Sequence, residues 1–185
     1  MHRRDLLRLL GGLSALAGLS PDELLALGPA THARLRDETS PLGFFDNHQM
    51  RTVVAAAERI VPRTDTPGAT EAGCARFIER IVADHYDAPR QKRFLAGLVD
   101  LDQRASARTQ FLFVDALSVD QDAVLTDVES AAYAAKPDGA DSFWRDLKYL
   151  TLYGYYTSEV GVTQELKTPR FPGRFDGAMP ITGGR

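Results

Sequence analysis

The stretch Asp141-Ser142-Phe143-Trp144-Arg145-Asp146-Leu147-Lys148-Tyr149-Leu150-Thr151-Leu152-Tyr153-Gly154-Tyr155-Tyr156-Thr157-Ser158 decides how this chain folds. Its apolar residues are too many for one stripe. Phe143, Trp144, Leu147, Leu150, Leu152, Tyr153, Tyr155 and Tyr156 cover most of a helical circumference. A helix that is apolar on most sides must be buried on most sides. The pattern therefore predicts a long helix from near Asp141 to about Ser158, packed among others. Positions 149, 153 and 156 share one face, while 155 points elsewhere.

Outward from this helix the periodicity stays helical. Asp46 or Asn47 caps a helix to Ile60, with Val53, Val54, Ala57, Ile60 and Val61 on its apolar face. Pro62 follows, then the turn-forming Arg63-Thr64-Asp65-Thr66-Pro67-Gly68. A second helix is expected from Ala69 to Tyr86, buried through Phe77, Ile78, Ile81 and Val82. A third runs from Arg90 to Thr109 with Phe94, Leu95, Leu98, Val99 and Leu101 inward. Phe111 to Leu117 is apolar but has no partner strand, so it reads as a packed connector. Ser118 opens a further helix with Val124, Leu125 and Val128 inward, and Lys136-Pro137-Asp138-Gly139 forms a turn. The fold class expected is all-α, a compact bundle of about five to six helices. Beyond Gly161 the period is lost. Thr168 to Gly177 mixes Pro, Gly and the aromatics Phe171 and Phe175, so residues 162–185 are expected to form an irregular C-terminal extension lying on a surface that needs it.

The start of the chain is different again. His2-Arg3-Arg4-Asp5-Leu6-Leu7-Arg8 resembles the start of a bacterial twin-arginine (Tat) signal, followed by a mildly apolar run to Leu19. That run is short of the roughly 20 apolar residues a spanning helix needs. Processing sites are poor: Ala26-Leu27-Gly28 is followed by Pro29, and Gly28-Pro29-Ala30 is only passable. Residues 1–30 are accordingly read as a Tat-like signal segment and 31–185 as the helical domain. The Tat route carries proteins already folded, most often because they hold a cofactor.

No cofactor site is legible behind the signal. The sequence has no G-x-G-x-x-G after a strand, no phosphate loop, no H-E-x-x-H and no G-x-S-x-G. His2, His32, His48 and His85 do not pair with other ligand types at helical spacing. His85 with Asp84 and Asp87 reads as solvated surface, and Asp100/Asp102 and Asp120/Asp122 as helix faces and caps. Ser158-Glu159 lacks a nearby histidine in sequence to serve as base. A single cysteine, Cys74, excludes an internal disulfide, and burial in the first turn of a helix is its expected place. A net charge of −3 argues against a partner as anionic as nucleic acid. Catalytic, cofactor-binding and metal-binding residues are thus all expected to be absent. A folded-cargo signal without a cofactor site suggests that the cargo is a second protein. The candidate partner interface is aromatic: Phe143, Trp144, Tyr149, Tyr153 and Tyr156 on the last helix, with Phe171 and Phe175 in the extension. The alternative occupant of those helix positions is the domain's own core.

Two segments resemble the gluconate 2-dehydrogenase subunit 3 family. One is Ile60-Val61-Pro62-Arg63-Thr64-Asp65-Thr66-Pro67-Gly68-Ala69 with Ala72-Gly73 and Phe77-Ile78; the other is Phe143 to Gly161, with Pro172-Gly173 and Asp176-Gly177 behind it. Cys74 departs from the apolar residue common at its position. The resemblance implies a small, cofactor-free subunit of a periplasmic or membrane-associated dehydrogenase. It implies a FAD-bearing large subunit of the glucose–methanol–choline oxidoreductase type, a multihaem cytochrome c as a further subunit in many complexes, and export of the flavoprotein through the Tat translocase on the signal Arg3-Arg4. Sugars, sugar acids and glycosides are the substrates it implies for the complex. A second reading of the residues, from a different class, is a stand-alone periplasmic helical module that binds a small ligand against the Tyr149–Tyr156 face.

Overall fold

The computed structural model describes residues 21–37, 42–135 and 142–167 of the chain. Arg3, Arg4, Phe171, Phe175 and the turn at 136–139 lie outside the described residues. Those described form six α-helices and no strand: α1 Pro21–Asp37, α2 Asn47–Ile60, α3 Cys74–His85, α4 Ala88–Thr109, α5 Ser118–Ala135 and α6 Phe143–Thr157. A 3-10 turn, Phe113–Asp115, joins α4 to α5, and a π-helical turn, Gly161–Glu165, follows α6. None of the described helices is long and apolar enough to cross a membrane.

Helix α6 is the centre. It packs against each of α1 to α5 and against the π turn. Its Leu147, Leu150 and Thr151 are fully buried, and Tyr153 and Tyr155 nearly so. The main core joins Leu147, Leu150 and Tyr153 to Phe77, Ile78, Ile81 and Val82 of α3, Phe94, Leu98 and Leu101 of α4, and Val124, Leu125 and Val128 of α5. The caps obey local chemistry. Asp46 and Gln49 form a reciprocal capping box on α2, while the Asp87 and Ser142 side chains accept from the third amide of α4 and α6.

Two charged residues are buried to hold this arrangement. Glu79, 2% exposed, accepts the backbone N–H groups of Phe44 and Phe45 at 3.0 Å each, which fixes the entry to α2. Arg90 and Asp146 pair within the interface of α4 and α6, with Arg90 Nε 3.1 Å from Asp146 Oδ2 and a second, shorter contact through Nη2. The Arg90 guanidinium also lies 3.9 Å over the Tyr86 ring.

The structure differs from the sequence expectation in three places. Helix α3 starts at Cys74, not Ala69, because Gly73 takes a left-handed conformation (φ 72°) that interrupts helical continuation. Val99 is exposed, because the inward stripe of α4 runs through Arg90, Phe94, Leu98, Leu101 and Ala105. The connector after α4 packs only through Phe113. Helix α1 runs without a break from Pro21 to Asp37.

Candidate partner interface

The aromatic residues of α6 take two different roles. Phe143 is buried edge-on to Phe94 at 5.2 Å between ring centres, and Tyr153 edge-on to Phe77 at 5.4 Å. Trp144 is 5% exposed. These three candidates fill the domain's own core and offer no surface to a partner. Tyr149 and Tyr156 remain half-buried on the outer side. Burial drives the Tyr153 hydroxyl up to about 12, so it stays protonated beside the backbone of Gly28.

Four of the exposed large apolar residues lie elsewhere, close together in sequence on the α4–α5 connector and the first turn of α5. Phe111 is 61% exposed, Leu112 44%, Leu117 72% and Val119 67%. Their exposure is held by hydrogen bonds. Phe113 is fully buried beneath them as an anchor, its N–H donating to Asp102 Oδ1 at 3.0 Å and its carbonyl accepting from Gln121 Nε2 at 2.9 Å. Ser106 Oγ donates to the Phe111 carbonyl, and the Phe111 N–H donates to Thr109 Oγ1. The surrounding charges are matched within the chain: Arg51 with Asp115 at 3.2 Å, Arg104 with Asp100 at 2.7 Å and Arg108 with Asp120 at 3.4 Å. A partner covering this band would not leave one of these charges buried alone. The sequence signal that marks the band is Phe111-Leu112 and Leu117 in a stretch without helical period, which reading it as a packed connector missed.

No catalytic constellation forms around Ser158-Glu159. A histidine does reach this region, His32 from α1, contrary to the view along the sequence. Its Nε2 is 2.8 Å from the Gly154 carbonyl, and its ring stacks on Phe77 at 4.8 Å. Ser158 is buried; its hydroxyl donates to the Tyr155 carbonyl at 2.6 Å and accepts the Gly161 N–H at 3.0 Å. Both side chains are committed to backbone, so neither is placed to activate the other. The two shallow grooves beside them, about 220 and 330 Å³, are lined by His32, Arg36, Ser158, Glu159 and Thr163 among others. His85 is exposed as expected, while Asp102 is more than a helix-face carboxylate: it also binds His48 Nε2 at 2.6 Å. Among the described residues no three His, Cys, Asp or Glu side chains converge on a metal site. Cys74 is fully buried, and desolvation, with the nearby Glu58 charge adding to it, pushes its thiol up to about 12.

The two sequence segments singled out earlier meet in space. Glu58 accepts the N–H of Arg63 and of Thr70 at 2.9 Å each, folding the 62–73 loop back on α2. Tyr155 then reaches from α6 to donate to the Pro67 carbonyl at 2.9 Å. Its ring completes a small second core with Ala57, Ala69, Ala72 and Cys74. One segment is therefore locked by the other.

Fold and surface together define an all-helical domain organised around a buried aromatic helix, with an apolar band on one connector. The chain belongs to the gluconate 2-dehydrogenase subunit 3 family, which matches it over residues 47–173. No curated protein and no solved structure matches the chain.

Proposed function

We propose that this chain is the non-catalytic small subunit of a periplasmic or membrane-associated FAD-dependent dehydrogenase of the glucose–methanol–choline type, acting on a sugar, sugar acid or glycoside. The family match carries the reading: a family described as the third subunit of a dehydrogenase is one whose members work in a complex. The chain's part is to support the folding of the flavoprotein and to lend it a route of export through Arg3-Arg4. FAD is held by the large subunit in this reading, and haem c by a cytochrome where the complex has one. The exposed band at Phe111, Leu112, Leu117 and Val119 supports it, because apolar side chains grouped in water gain most from a partner that covers them. Expression of the flavoprotein together with this chain carrying Arg3→Lys and Arg4→Lys leaves the enzyme in the cytoplasm. Export of active enzyme at the unmutated level overturns the reading.

A further inference from the structure

We infer that helix α1 is a permanent part of the working domain, capping the central helix, and that the fold closes the processing sites at Gly28–Pro29 and Ala30–Thr31. The inference rests on the export reading only in supposing that a processing peptidase meets the chain.

The need for α1 begins at the end of α6. The last carbonyls of a helix have no amide partner within it. At the end of α6 the Ser158 N–H turns to the Tyr155 carbonyl. A donor for the Gly154 carbonyl comes instead from His32 Nε2, at 2.8 Å, more than a hundred residues away in sequence. The imidazole is held flat against Phe77, which itself packs on Tyr153, so the donor is fixed in place by the same aromatic core that α6 organises.

The rest of α1 is fitted to this contact. Gly28, Thr31 and Leu35 are buried along one face, at the spacing of successive helical turns. A Cβ at position 28 would stand 2.6 Å from Thr157 Cγ2, so only glycine allows α1 to approach α6 this closely. The backbone of Gly28 also takes a hydrogen bond with the buried Tyr153 hydroxyl.

Both processing sites lie inside this helix. A peptidase binds its substrate extended, so a cut there requires the residues around 28–31 to unwind. Unwinding would withdraw the His32 donor, open the face of Phe77 and strip Thr31 and Leu35 of their contacts. Any processing of the folded protein therefore falls on the N-terminal side of Leu27, and the mature domain keeps the docked stretch from Leu27 to Leu35.

Two measurements decide it. Purified full-length chain is treated with subtilisin and followed by intact mass, beside the variants Gly28→Glu and His32→Ala. The unmutated chain resists cutting between Leu25 and Asp37, and the variants are cut there at least about tenfold faster, as expected when local opening becomes easier. Equal rates overturn the inference. In the exported protein, the mature chain still contains Leu27 to Leu35, and a mature chain beginning at Pro29 or Thr31 overturns the inference. A chain that stays in the cytoplasm with Arg3-Arg4 intact counts against the export reading alone, since the proteolysis result stands without it.

Discussion

At the scale of single residues, the contact with the most at stake is Arg90–Asp146. Both side chains are buried, and Asp146 also draws Arg93, 3.9 Å away. A buried ion pair adds little net stability, because desolvation offsets the attraction, but removing one member leaves a charge stranded. Asp146→Ala therefore destabilises the domain by about 3–5 kcal/mol, read as a lower urea midpoint with an unchanged slope. Leu147→Ala, next to it and fully buried, costs about 2–5 kcal/mol by a different route, the cavity it leaves. The sequence did not distinguish Asp146 from the other acidic residues of a helix first turn. Its partner lies 56 positions away and nothing local marks it.

At the scale of elements, the docking of α1 depends on pH. Burial holds the His32 imidazole below its ordinary 6.5, against the pull of the Gly154 carbonyl, and the Arg36 charge acts in the same direction as burial. The unfolded or undocked histidine thus binds a proton more readily than the docked one. Docking free energy is complete above about pH 6.5 and declines as pH falls through that value toward the lowered folded one. Amide exchange across Thr31–Leu35, corrected for its intrinsic pH dependence, becomes less protected between pH 7.5 and pH 5. In His32→Gln, which keeps a donor but no titrating group, that pH dependence disappears. Persistence of the same dependence in His32→Gln assigns it to another group. The periods of α2 to α6 were legible because each apolar stripe is a local pattern of 3.6 residues. The exact start of α3 was set by one left-handed glycine, and the role of α1 by a contact with α6 that no local pattern contains.

At the scale of the whole molecule, the question is which surface meets other proteins. The sequence drew attention to the aromatic face of α6, yet Phe143, Trp144 and Tyr153 are spent on the core. The connector offers its apolar side chains to water instead. Phe111→Ser with Leu117→Asp leaves the stability of the isolated chain within about 0.5 kcal/mol, as exposed positions allow. The same pair of changes abolishes co-purification with the proposed flavoprotein subunit. Co-purification at the unmutated level moves the interface away from this band, to Tyr149 and Tyr156 or to the segment beyond Lys167.

The sequence by itself determined the helical class, a cap for α2 at Asp46 or Asn47, the buried thiol and the family, because each rests on short-range spacing or on a motif. Only the tertiary structure decided which aromatic residues are core, which apolar residues face water, and that α1 completes α6. Exposure and pairing are properties of neighbours, and in this bundle the neighbours that matter come from distant parts of the chain.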